Sequence, residues 1–81
     1  MPQFNKLTVS EAKLHLSDYL LDTLGFEAET LIDKINHARD ISEIQATINF
    51  IAQKTSPKYA KSILTFWNEL LLAIKRGKEA V

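Results

Sequence analysis

The chain has 81 residues and carries ten basic and ten acidic side chains, so its formal charge at pH 7 is zero. That length allows one domain, because separate cores usually need about 100 residues each. Balanced charge argues against strong attraction to nucleic acid or anionic lipid, and the absence of cysteine excludes a disulfide scaffold, thiol catalysis and an iron–sulfur cluster. We therefore expect residues 1–81 to form a single soluble domain.

The first residues, Met1 to Lys6, lack the basic stretch and apolar run of a signal peptide. The longest unbroken apolar run, Leu70 to Ile74, is far shorter than the ~20 residues that span a bilayer. The sequence therefore predicts a cytoplasmic protein without a membrane segment.

The first predicted helix covers residues 9–24. Thr8 and Glu11 have the spacing of a capping box, in which each side chain accepts a hydrogen bond from the other residue's backbone N–H. Gly25 is expected to end the helix in the left-handed conformation. Phe26, directly after it, is expected to pack back onto the last helical turn.

Two further helices are predicted at 27–39 and 41–55. Asp40 and Glu43 repeat the cap-to-glutamate spacing, which places a helix start at Ile41. One continuous helix over 27–55 is the alternative, but the apolar positions change phase at Arg39, and this favours a break.

The last predicted helix covers residues 57–76. Ser56 followed by Pro57 is a strong start signal, and Gly77 is expected to end the helix. No run alternates apolar and polar residues long enough for a strand. The predicted fold is therefore all-α, a compact four-helix bundle.

Two predicted helices carry more apolar surface than one bundle of this size should bury. In the first, leucines recur every seven residues on the side opposite the main apolar face; the last has a second line through Tyr59, Phe66 and Ala73. These side chains either lie under the N-terminal segment around Phe4 or form an interface with a second copy or another protein. The candidate interface residues are Leu7, Leu14, Leu21, Phe50, Tyr59, Phe66 and Leu72.

Net neutrality conceals a charge difference between the halves of the chain. Residues 1–40 contain four basic and seven acidic side chains, a balance of −3, and residues 41–81 contain six basic and three acidic ones, a balance of +3. An acidic face for a basic partner is predicted at Glu11, Asp18, Asp22, Glu27, Glu29 and Asp33. The alternative is nucleic-acid binding through Lys58, Lys61, Lys75, Arg76 and Lys78, with Tyr59 or Trp67 stacking on bases.

Both histidines lie between two acidic residues at the same spacing, Glu11-His15-Asp18 and Asp33-His37-Asp40. Both trios project to polar faces and lack the glutamate pattern of di-iron bundles, so we expect surface histidines and no metal or cofactor. Nothing marks a nucleophile, an oxyanion hole or a carboxylate pair in a cleft, so no catalytic residue is predicted.

The sequence therefore predicts a non-enzymatic protein-binding module, such as an adaptor, inhibitor or regulator. It is expected to act through apolar and acidic helix faces and to form a homodimer. The identity of any other protein partner is not encoded in a recognisable motif.

Overall fold

The computed structural model describes residues 6–79, and the side chains of residues 6–77. All regular structure in this range is helical and falls into three continuous segments, which confirms the all-α class. The first, α1, comprises a first arm (Val9–Leu24), a 3-10 turn (Gly25–Ala28) and a second arm (Glu29–His37); α2 spans Ile41–Lys54 and α3 spans Pro57–Glu79.

The predicted four-helix bundle is wrong, because the described chain forms three helical segments. No extended linker separates the two arms, because the 3-10 turn begins directly at Gly25, and the non-helical backbone angles of that glycine let the second arm fold back onto the first. Gly25 has a positive φ of 69°, as predicted, but its ψ of −147° lies outside the predicted left-handed region; its N–H donates to the carbonyl of Leu21. Phe26, however, does not pack back onto the helix and is 87% exposed.

Helix starts are fixed by side-chain caps. Thr8 Oγ1 accepts from the Glu11 N–H at 3.1 Å, and Glu11 Oε1 accepts from the Thr8 N–H at 2.9 Å, which confirms the predicted capping box. Asp40 Oδ1 accepts from the Glu43 N–H at 3.0 Å and begins α2. The predicted break near Arg39 is therefore confirmed, and the alternative of one helix over 27–55 is wrong.

The predicted helix end at Gly77 is wrong, because α3 continues to Glu79. The backbone of Leu7 crosses α3 here, and its N–H donates to the carbonyl of Ala73 at 3.2 Å. A Cβ atom at position 77 would lie only 3.1 Å from the Leu7 carbonyl oxygen. Glycine at this position is thus explained by close backbone approach and not by a helix end.

The core is one apolar cluster drawn from all three segments and from the N-terminal residue Leu7. Its largest fully buried side chain, Trp67, donates from Nε1 to Gln45 Oε1 at 2.7 Å, so its polar atom is satisfied. The other core residues are Leu7, Ala12, Leu16, Leu20, Ala28, Ile35, Ala38, Ile44, Ile48, Ile51, Ile63, Leu70, Ala73 and Ile74. The Cα radius of gyration is 12.1 Å, close to the ~12 Å expected of a folded chain of this length.

Two cross-contacts define how α1 is arranged. Lys13 in the first arm donates from Nζ to the carbonyls of Asn36 at 3.4 Å and Ala38 at 2.5 Å, so its ammonium group caps the end of the second arm. The first arm also runs antiparallel to α3, because Leu7 meets Ala73 while Tyr19 hydrogen-bonds Ser62. Within residues 6–79, no helix combines the length and hydropathy needed to cross a membrane.

Candidate functional site

The predicted interface residues do not all lie on the surface. Leu7 is buried in the core because its backbone is bonded to α3. Phe66 is half-buried. Phe4 lies outside the described residues. Among residues 6–77, the large hydrophobic side chains that are exposed are Leu14, Leu21, Phe26, Phe50, Tyr59 and Leu72.

A mixed apolar and acidic line runs along the outer side of the first arm of α1. Glu11, Leu14, Asp18 and Leu21 follow one another at intervals of three, four and three residues and are all exposed. At 100° per residue they fall within about 80° of each other, on the side opposite the buried Ala12 and its core neighbours. We call these four residues the leucine–acid line; its leucines are 65% and 45% exposed.

The leucine–acid line ends at an open groove of about 560 Å³ between the two arms of α1. Leu21 belongs to both features, and Glu29 and Asp33 contribute two exposed carboxylates from the second arm. The described residues that line this acidic groove are Leu21, Glu29, Thr30, Ile32, Asp33 and Asn36. The fold thus joins the exposed leucines of one arm to the acidic side chains of the other.

All six acidic residues of the predicted partner face are exposed. The structure places Glu11 and Asp18 on the leucine–acid line and Glu29 and Asp33 in the acidic groove. Asp22 follows Asp18 by one helical turn, and Glu27 lies in the 3-10 turn beside Phe26. The predicted face is therefore a band over both arms and the turn that joins them.

A second groove, of about 550 Å³, lies between the first arm of α1 and α3. Its floor is a stacked pair of rings, Tyr19 and Phe66, with centroids 4.2 Å apart and planes inclined by 9°. Tyr19 Oη is hydrogen-bonded to Ser62 Oγ, which holds the ring against α3. Among residues 6–77, this aromatic groove is lined by Tyr19, Lys58, Lys61, Ser62, Thr65, Phe66 and Glu69.

Charge is distributed unevenly along the aromatic groove. Lys58 and Lys61 lie at the end nearest the start of α3, and both are exposed. Glu69 lies at the other end, eleven residues from Lys58, which corresponds to roughly 16 Å along an α-helix. The end of the groove at Lys58 and Lys61 therefore favours a ligand that carries an acidic group beside an apolar one.

Phe50 and Leu72 lie apart from both grooves. Phe50 on α2 has Lys34 Nζ 4.7 Å and Lys54 Nζ 5.6 Å from its ring centroid, so cation–π contacts occupy this ring. Leu72 is exposed and does not line either groove. The seven predicted interface residues therefore do not form one continuous patch.

The basic residues of the nucleic-acid alternative are also separated. Lys58 and Lys61 border the aromatic groove, whereas Lys75 and Arg76 are exposed fourteen or more residues further along α3, or roughly 20 Å away. The side chain of Lys78 lies outside the described residues. Trp67 is only 1% exposed and is unavailable for stacking on a base; Tyr59 is exposed.

The two histidine trios differ in their local contacts. His37 Nδ1 donates to the Asp33 carbonyl at 2.8 Å and lies 3.9 Å from Asp33 Oδ1, while Asp40 is engaged as the cap of α2. The hydrogen bonds that Glu11 accepts from Thr8, with a smaller contribution from the charge of His15, hold the pKa of Glu11 below its usual value of 4.5. Among residues 6–77, no group of three His, Asp or Glu side chains is arranged to hold a metal ion.

Sequence reasoning missed several residues of the aromatic groove, namely Tyr19, Ser62, Thr65 and Glu69. Tyr19 and Phe66 are 47 residues apart in sequence, and only the antiparallel packing of the first arm on α3 brings them together. No local spacing signals such a pair. The exposure of Phe26 was missed for a related reason, because it depends on how the 3-10 turn directs the ring.

No protein family, curated protein or solved structure matches the chain. The candidate surfaces are therefore defined by the geometry of this chain alone.

Proposed function

We propose that the protein is a small binding module, an adaptor, inhibitor or regulator, whose leucine–acid line and acidic groove bind a basic amphipathic helix of another protein. It acts by binding and not by catalysis. The proposal rests on one observation: two exposed leucines lie on the same surface as carboxylates from both arms of α1. An amphipathic helix presents apolar side chains at positions i, i+3, i+4 and i+7, and Leu14 and Leu21 have the same seven-residue spacing as the first and last of these.

The energetic argument combines two contributions. Fully burying a leucine side chain contributes about 1.5–3 kcal/mol, so Leu14 and Leu21 together supply a substantial apolar contact. The flanking carboxylates of Asp18, Glu29 and Asp33 favour lysine or arginine at the partner's edges and increase the association rate. Single exposed leucines are ordinary on protein surfaces, so the proposal depends on their alignment with the acidic side chains.

The test uses two designed helical peptides that share the same leucines but carry either lysine or glutamate at the flanking positions. Fluorescence anisotropy of the labelled peptides measures binding to the folded protein at low and high salt. We expect the lysine peptide to bind and the glutamate peptide not to bind. Replacing both leucines (Leu14→Ser with Leu21→Ser) is expected to weaken binding at least tenfold.

Leu72→Ser is the matched control, because Leu72 is similarly exposed but lies outside both grooves. This variant is expected to bind the lysine peptide within about twofold of the unmodified protein. Equal binding of the two peptides, or equal losses for the control and the double variant, would contradict the proposal. Circular dichroism confirms that each variant retains its helices.

A further inference from the structure

Phe26 is the most exposed large apolar side chain of the described residues, and the proposed function does not use it. It projects from the 3-10 turn at 87% exposure and has acidic neighbours in Glu27 and Glu29. A phenylalanine buries roughly 150–250 Å² when it is covered, so leaving this ring in water has an appreciable cost. Its position at the tip of a turn makes it available to a second molecule.

The aromatic groove has the complementary properties. The stacked rings of Tyr19 and Phe66 supply apolar lining, and Lys58 and Lys61 border the groove at one end. A phenyl ring packs favourably against such a ring pair in an offset or edge-to-face arrangement. The two lysines are placed to attract carboxylates beside that ring.

Both features lie at the same end of the molecule. Because the first arm runs antiparallel to α3, the chain beyond Tyr19 approaches the start of α3, where Lys58 lies. Phe26 follows Tyr19 by seven residues and lies in the 3-10 turn directly after the end of the first arm at Leu24. Two copies related by a two-fold axis at this end can each place Phe26 over the groove of the other, which closes the assembly at two chains.

We propose that the protein forms a homodimer in which Phe26 of each copy packs into the aromatic groove of its partner, with Glu27 and Glu29 facing Lys58 and Lys61. The contact uses two small reciprocal patches and falls at the low end of interface sizes, below about 1,200 Å². Self-association is therefore weak and depends on concentration and salt. This inference is independent of the leucine–acid line, so a monomer that binds the lysine peptide would overturn the dimer alone.

Sedimentation velocity and light scattering at increasing concentration, up to about 1 mM, provide the test. The chain mass is 9.2 kDa, and the mean mass is expected to rise towards twice that value. Phe26→Ser is expected to weaken association at least tenfold, while Leu72→Ser leaves it within about twofold. A constant mass of one chain, or unchanged association of Phe26→Ser, would overturn the proposal.

Charge reversal tests the arrangement even if a Phe26 variant folds poorly. Glu27→Lys and Lys61→Glu each place like charges at the proposed contact and are expected to weaken association severalfold at low salt. Combining the two restores opposite charges across the dimer, so the double variant is expected to associate more strongly than either single variant. A double variant weaker than both single variants would exclude this reciprocal contact.

Discussion

The ionisation of Glu11 is tied to folding through the capping box at the start of α1. Its carboxylate accepts the Thr8 N–H, and hydrogen bonds from the backbone and the side chain of Thr8 lower its pKa, with a smaller contribution from the charge of nearby His15. A lowered pKa means that the folded state holds the proton less tightly than the unfolded state. The resulting stabilisation is present above the usual pKa of 4.5 and is lost as pH falls through the lower, folded-state value.

Glu11→Gln is expected to reveal this dependence, because glutamine can still accept the Thr8 N–H but does not ionise. The variant should be less stable than the unmodified protein at neutral pH. The difference in urea midpoint should shrink as pH is lowered below about 5. A difference that stays constant down to pH ~2, well below the usual carboxyl pKa, would show that the carboxylate has no special role in the cap.

At the scale of the elements, the contact between α2 and α3 includes one partly buried polar pair. Trp67 Nε1 donates to Gln45 Oε1 at 2.7 Å, and Gln45 Nε2 in turn donates to Asn49 Oδ1 at 3.1 Å. Gln45→Met removes the acceptor and leaves the indole N–H unsatisfied in the core, which costs about 1–3 kcal/mol. In a Trp67→Phe background the donor is absent, so the same change should cost much less.

The measurement is a double-mutant cycle of unfolding free energies from urea titrations. We expect a coupling energy of about 1–2 kcal/mol between positions 45 and 67. Asn49→Ala serves as the control, since it removes only the exposed partner of Gln45, and it should cost less than about 0.5 kcal/mol. Strictly additive effects of the two core changes would rule out an energetically important hydrogen bond.

The elements also show where sequence reasoning succeeds. Thr8, Asp40 and Pro57 act within one helical turn, so their neighbours in sequence are sufficient to predict three helix starts. Gly77 could not be interpreted correctly, because its neighbour is the backbone of Leu7, 70 residues away. Periodicity identified Leu14 and Leu21 as lying away from the core, but the grooves depend on how the segments pack.

The whole molecule has one continuous core to which every helical segment contributes. Trp67 is the sole tryptophan of the chain, and it is buried in that core. Loss of any one segment would expose the core residues of the other two. Unfolding is therefore expected to be a single cooperative transition, as is usual for domains of this size.

Urea titrations followed by Trp67 fluorescence and by far-ultraviolet circular dichroism should give the same midpoint and the same m-value. Fluorescence reports the surroundings of one core side chain, whereas dichroism reports all helices together. An early dichroism transition that leaves the fluorescence unchanged would instead indicate that part of α1 melts separately.

The crossing of Leu7 over α3 also identifies a position at which a fluorescent label can be attached to the protein. Residue 6 lies beside the last turns of α3, about 28 Å along that helix from Lys58. Because the chain contains no cysteine, Lys6→Cys creates a unique attachment point for a fluorophore. Dyes placed there would lie at the outer ends of the proposed dimer, and the end of the aromatic groove at Lys58 and Lys61 would remain clear of the label.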